Sequence, residues 1–369
     1  MGAQIKSIFL SLLVFVIAAE AGSFVVTLYL DDRGMFYKPL EDLSDYAEYL
    51  ERRDPLLGWT RLSDDDRLLQ DGSRYSPATD AAALQLPCVS LYGDSFVWAD
   101  EVDDAQAWGN LLAEQLGCRV ANFGVRAYGT DQSYLRYLYS PRADTGQVVI
   151  LGHLSENILR NITQDFDLLY GLTRYGLKPR FIIDGDGRLQ LIPLPDYSIE
   201  EFERLNRAPR QVLKHEYLEP LVARFPYSLS LLKVFKGYRI QAKLRGEPPY
   251  AAFYQPDHPS KALAITAGIL NAFADEAKSR DDRPLVLIIP NLMDLRHFET
   301  TGNWVYAPLL AELDRRGVAY VDLGPRLLVA LQGQDPQSIY APAHHFNEEG
   351  NRMVADIVHD ALLERGYRP

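Results

Sequence analysis

CVSLYGDSFVWADE, Cys88 to Glu101, is an apolar run that stops at Gly93-Asp94-Ser95 and resumes with Phe96, Val97 and Trp98. A strand that ends in glycine, followed by a small hydroxyl and a helix-capable segment, is a strand-to-helix turn. In open α/β sheets that turn borders the crevice where ligands bind. A serine there can point its hydroxyl into the crevice; it can equally serve as the N-cap of the helix that follows.

Outward from this turn the pattern repeats. CVSLYG, RVANFG and QVVILG alternate with helical segments at Asp104 to Leu116 and Asp131 to Ser140. This βαβ progression implies a parallel sheet. It resumes with PLVLIIP (Pro284 to Pro290), a helix from about Trp304 to Arg316, VAYVDL (Val318 to Leu323) and a closing helix from about Glu348 to Arg365. Between the halves lies an insertion at about 166–260. It opens with two apolar runs around Asp184-Gly185-Asp186-Gly187, a hairpin signal, and continues with Ser198 and Glu201 spaced as a capping box. The expected organisation is therefore an N-terminal segment at 1–30, a polar lead-in at 31–86 that packs on the main domain, and one α/β domain at 87–369.

Ser7 to Leu30 is about one bilayer of apolar helix, interrupted only by Glu20. Lys6 precedes it and no positive charge follows until Arg33, which places the body of the protein on the non-cytoplasmic side. A single-pass transmembrane anchor is expected. The competing reading is a signal peptide cut after Ala19-Glu20-Ala21; both export the chain. Export permits a disulfide between Cys88 and Cys118, but neighbouring parallel strands are poor geometry for one, so two buried free thiols are expected. The 369 residues are 47% hydrophobic and carry a formal charge of −12 without a basic face. Nucleic acid is excluded as a partner on that ground.

Gly93-Asp94-Ser95, NFGVRAYGTDQ (Asn122 to Gln132) and HHFNEEGNRMVADIV (His344 to Val358) together resemble, in order and spacing, the first, second and fifth sequence blocks of the SGNH/GDSL hydrolase family. The resemblance implies a three-layer, flavodoxin-like α/β fold, here with a hairpin-and-helix insertion. It also implies serine ester hydrolysis: Ser95 as nucleophile, His345 as base, and an oxyanion hole formed by Ser95, Gly124 and Asn157. No cofactor is expected. The adjacent His344 and His345 lack the third ligand and the spacing a Zn²⁺ site needs, and His344 is only a rival base.

Two departures from the family pattern stand out. The third block, Gly-x-Asn-Asp in the family, reads GHLSENILRN (Gly152 to Asn161) here, so either Asn157 or Glu156 holds the donor position. The acid that the family carries three residues before its histidine is replaced by Pro342. Either a serine–histidine dyad operates, with a carbonyl orienting the ring, or Asp335, Glu348 or Asp294 supplies the carboxylate. The expected substrate is an ester, with O-acetyl groups on a cell-envelope or secreted polysaccharide favoured. The alternatives are O-acyl transfer onto a glycan and a non-catalytic glycan-binding module.

Overall fold

The computed structural model describes residues 2–39, 42–59, 68–69, 71–77, 86–141, 147–170 and 176–367. Parts of the expected lead-in, at 60–67 and 78–85, lie outside the described residues. The strands are β1 (Val89–Tyr92), β2 (Val120–Asn122), β3 (Val148–Leu154), β4 (Arg180–Ile183), β5 (Leu189–Ile192), β6 (Arg283–Ile289) and β7 (Tyr320–Asp322). Five of them form one parallel sheet in the order β2-β1-β3-β6-β7. From β1 the chain steps outward to β2, then crosses back to β3 on the other side. That reversal opens a crevice beyond the carboxyl ends of β1 and β3, as in doubly wound sheets of flavodoxin type.

Side-chain alternation explains the three layers. Val149, Leu151, Val286 and Ile288 pack on one face of the sheet with the helices Thr130–Tyr139, Ala262–Ser279 and Ala307–Arg316. Val148, Ile150, Leu285, Leu287 and Ile289 face the other way, against Trp108–Leu116, Leu323–Leu331 and Glu348–Glu364. Strands covered on both faces read as continuous apolar runs, which is how CVSLYG, QVVILG and PLVLIIP read.

The insertion follows its sequence signals closely. β4 and β5 pair antiparallel around the Asp184–Arg188 turn, and Ser198 and Glu201 form the reciprocal capping box of the helix Ile199–Arg207. In the lead-in, the helix Ser44–Arg52 stacks Tyr46 on Phe202 of the insertion, with ring centroids 3.6 Å apart.

The cysteines depart from expectation. Cys88 and Cys118 are joined as a disulfide with Cα atoms 6.1 Å apart. Cys88 stands immediately before β1 and its backbone still joins the ladder, its amide donating to the Arg119 carbonyl at 2.9 Å and its carbonyl accepting from the Val148 amide at 3.2 Å. Cys118 lies one residue before Arg119, so the two cysteines are offset by one position rather than directly opposed across the strands. A Cα separation of this size is within the ordinary range for the bond.

At the N-terminus, Gly2–Asp31 is one continuous helix. Within its segment Gln4–Asp31 an 18-residue stretch reaches a mean hydropathy of 2.3, and the segment is long enough to cross a bilayer. This helix is a candidate membrane anchor or signal segment. Glu20, its interrupting charge, accepts hydrogen bonds from the Tyr227 amide at 2.7 Å and from the Ser228 hydroxyl.

Candidate active site

Ser95 is the first residue of the short helix Ser95–Trp98 at the carboxyl end of β1, and it is 7% exposed. The N-cap is Asp94, whose carboxylate accepts from the Phe96 amide at 2.9 Å. The capping role is thus filled by Asp94, which leaves the Ser95 side chain for other work; among the described residues its hydroxyl and its amide have no hydrogen-bond partner. Val97 lies where a Cβ on Gly93 or Gly152 would stand, and a Cβ on Gly124 would come within 2.6 Å of the Trp98 nitrogen. Missing side chains just after β1, on β3 and in the loop after β2 are what let this helix lie against the strand ends.

His345 comes from the other end of the chain. A tight turn, in which the Ala341 amide donates to the His345 carbonyl at 2.8 Å, leads into the last helix. Asn347 caps that helix by accepting from the Gly350 amide at 3.0 Å. Asn351 fixes the turn to the body of the protein: its amide donates to the Phe346 carbonyl at 2.9 Å, and its oxygen accepts from the Trp108 amide at 3.2 Å. The spacing of His345, Asn347, Gly350 and Asn351 therefore has a structural reason at each position. The His345 ring lies 5.1 Å, centroid to centroid, from Phe96, the neighbour of Ser95.

The imidazole is held by Glu101, which the sequence did not single out. Nδ1 of His345 is 2.9 Å from Glu101 Oε2. The same carboxylate accepts the Ala343 amide at 2.8 Å and the His345 amide at 3.0 Å, so it clasps the whole histidine turn. Partial burial works to raise the pKa of Glu101, but these hydrogen bonds and the nearby imidazole outweigh it and leave it lowered. With Glu101 ionised, Nδ1 is the donor and Nε2 carries the lone pair; the tautomer follows from the hydrogen-bond network. No direct Ser95–His345 hydrogen bond is present among the described residues. Catalytic bonds of this kind commonly tighten only in the substrate complex.

The loop bearing Glu101 is built for this placement. Ala99 and Glu101 have φ of 63° and 67°, and His344 on the facing turn has 73°. Non-glycine residues enter this left-handed region at a cost of about 1–3 kcal/mol each, and they persist where surrounding contacts impose it. Here the contacts come from Arg74 of the lead-in. Its buried guanidinium donates to the carbonyls of Trp98, Ala99 (2.8 Å) and Val102 (3.0 Å) and pairs with Asp104 at 2.7 Å.

None of the three carboxylates expected to support His345 reaches it. Asp335 caps a 3₁₀ turn by accepting from the Gln337 amide at 2.9 Å. Glu348 is an exposed first-turn residue of the last helix. Asp294 is buried among Ser155, Tyr250 (2.9 Å) and the Asn291 amide (2.9 Å). Burial, opposed by those hydrogen bonds, pushes its pKa up to about 7. In the unfolded chain an aspartate titrates near about 3.9, so the folded state holds a proton that the unfolded state releases. This contribution to stability is fully present below the unfolded value and is lost as pH rises through about 7. Thermal unfolding of Asp294→Asn is accordingly expected to fall less between pH 5 and pH 8 than that of the wild type; parallel curves would show that Asp294 does not titrate in this window.

The oxyanion donors implied by the resemblance are placed as follows. The Gly124 amide donates to Asn122 Oδ1 at 3.0 Å, and Asn122 in turn donates to the Val97 carbonyl at 2.7 Å. Asn157 is buried after β3 and donates one amide hydrogen to Asp94 at 3.0 Å. Glu156, its rival for the donor position, is ion-paired with Arg160 at 2.5 Å, and the same guanidinium lies 3.4 Å from Asp94. Burial raises the pKa of Asp94, against the lowering effects of Arg160, the Phe96 amide and Asn157.

No protein-family model matches the chain, and no curated protein matches it in sequence. Among solved structures, it is similar to the acetyl xylan esterase AlAXEase at 14% identity and a TM-score of 0.38, covering 74% of this chain and 98% of that one. It is also similar to TesA, at 14% identity and a TM-score of 0.37, over 74% of this chain and 97% of that one. A protein named for the G-D-S-L lipolytic family from Desulfitobacterium hafniense DCB-2 matches at 12% identity and a TM-score of 0.35, over 74% and 98% of the two chains.

Proposed function

We propose that the protein is a serine ester hydrolase in which Ser95 attacks the ester carbonyl, His345 Nε2 takes the hydroxyl proton, and Glu101 positions the imidazole. The observation that carries this reading is the clasp of Glu101 on His345. A carboxylate fixed to Nδ1 by one ring bond and two backbone amides is placed as an orienting group for a general base. Attack gives a tetrahedral intermediate whose oxyanion is met by the Ser95 amide and by the second N–H of the Asn157 side chain, since that group has two donors and Asp94 takes one. Gly124 contributes the close approach that its missing side chain allows. Collapse expels the alcohol, which receives the proton from His345. Water then repeats the sequence on the acyl-enzyme.

The limited exposure of Ser95 favours a small acyl group, and we propose an O-acetylated carbohydrate as the substrate, met outside the cell by a chain held at the membrane through residues 2–31. If the acyl-enzyme is captured by a sugar hydroxyl instead of water, the same residues perform acyl transfer.

A fluorophosphonate probe tests the reading directly. It is expected to form one covalent adduct, mapped by peptide mass to Ser95. A folded protein that stays unlabelled at Ser95 would remove the serine from chemistry and favour the glycan-binding alternative.

A further inference from the structure

The helix Tyr227–Lys236 of the insertion packs along the N-terminal helix. The contact uses the polar stripe of that otherwise apolar segment: Glu20, Ser23 and Thr27 share one face, and Thr27 is 2% exposed. Glu20 accepts from the Tyr227 amide at 2.7 Å and from the Ser228 hydroxyl, while Phe24 meets the Tyr227 ring at a centroid distance of 4.9 Å. The opposite side of the inserted helix and its approach carries Phe225, Leu229, Leu232 and Phe235 at helical spacing, all of them 48–71% exposed. Lys233 and Lys236 flank this row.

Depth decides what covers it. At 1.5 Å per residue, Glu20 lies about 16 Å along the helix from Asp31, and a bilayer core is about 30 Å thick. If Asp31 marks the outer boundary, Glu20 sits near the middle of the bilayer. Whatever surrounds Glu20 also surrounds the start of the helix bound to it. The pairing suits that setting from both sides. An acidic side chain within a membrane requires a partner, and a helix start in hydrocarbon requires acceptors for its first amides.

We infer that the helix Tyr227–Lys236 is seated in the outer leaflet beside the anchor, with Phe225, Leu229, Leu232 and Phe235 against acyl chains and the flanking lysines extended towards the headgroups. The inserted segment is thus a second point of membrane attachment, one that fixes the orientation of the α/β domain relative to the lipid surface. It rests on the anchor reading of residues 2–31.

The experiment uses the full chain in phosphatidylcholine vesicles containing lipids with a nitroxide on the acyl chain. Because Cys88 and Cys118 are bonded to each other, an environment-sensitive fluorophore can be attached to single introduced cysteines: Leu232→Cys on the inserted helix, Phe15→Cys on the anchor and Val329→Cys on the distant surface. Leu232 is exposed, so the substitution leaves the core intact. The Leu232 label is expected to lose about half its emission to the nitroxide lipids, as the Phe15 label does, and the Val329 label to lose none. Quenching at Phe15 without quenching at Leu232 would overturn the inference while leaving the anchor standing. If Leu232 were in addition shielded from aqueous iodide, the face would be covered by protein, such as a second copy. An unquenched Phe15 label would overturn the anchor reading and the inference with it.

Discussion

Ser95→Ala is expected to abolish hydrolysis of a small acetyl ester and to leave the fold intact. In serine hydrolases, loss of the nucleophile costs up to about 10⁶ in kcat, so turnover here should fall to background. The Ser95 hydroxyl makes no hydrogen bond among the described residues, and the helix N-cap is the neighbouring Asp94. Removing one oxygen should therefore change unfolding free energy by less than about 1 kcal/mol. Initial rates with a chromogenic acetate, measured beside thermal unfolding, check both halves. Retained turnover would exclude Ser95 as the nucleophile. Lost turnover with a collapsed melting temperature would mean that the serine serves the fold. Asp94→Ala provides the contrast, because it removes the cap and the buried acceptor of Asn157 and leaves Arg160 paired with Glu156. That variant should lose activity and stability together.

The parts of the molecule that were legible in its sequence are those set by local periodicity. Strands covered on both faces announced themselves as apolar runs, and Asp184-Gly185-Asp186-Gly187 and Ser198 with Glu201 marked a hairpin and a capping box that the structure contains. The residues around His345 were legible through the family resemblance; Asn347 and Gly350 act on each other locally, while Asn351 also accepts from the distant Trp108 amide. What escaped depends on where separate loops meet. Glu101 and His345 are 244 residues apart, and nothing in the pattern around either points to the other. Asp335, Glu348 and Asp294 lie near His345 in the sequence or at the end of β6, whereas Glu101 follows Ser95 by six positions at the other end of the chain. The available signal is Asp100-Glu101 itself, two acidic residues just beyond the GDS turn. Cys88 and Cys118 escape similarly, because directly opposed residues of parallel strands are poorly placed for a disulfide, whereas Cys118 is offset by one position from the partner of Cys88.

Glu101 also yields the sharper test of the proposed mechanism, because it is the carboxylate that meets His345 Nδ1. Glu101→Ala is expected to lower kcat for the acetyl ester by about 10²–10⁴ with little change in KM; in a serine triad, replacing the carboxylate so that the base adopts the wrong tautomer costs about 10⁴. Glu101→Gln separates charge from geometry. Its amide oxygen can still accept from Nδ1, but it offers no negative charge to the imidazolium that forms as Ser95 is deprotonated, so its rate should fall between those of the wild type and Glu101→Ala. A side chain that merely tied down the turn would act otherwise: both variants would lose stability, and kcat in the surviving folded fraction would be normal. The pH dependence has a definite sign. The folded pKa of Glu101 is lowered, so its contribution to stability is present above the unfolded value, about 4.3, and is lost as pH falls through the lower folded value. Wild-type activity should accordingly keep the clasp at mildly acidic pH, and its loss in stronger acid should include a component from protonation of Glu101 that is absent in Glu101→Gln. Equal kcat for wild type and Glu101→Ala would show that the base is oriented without this carboxylate, leaving a bare serine–histidine dyad as the working arrangement.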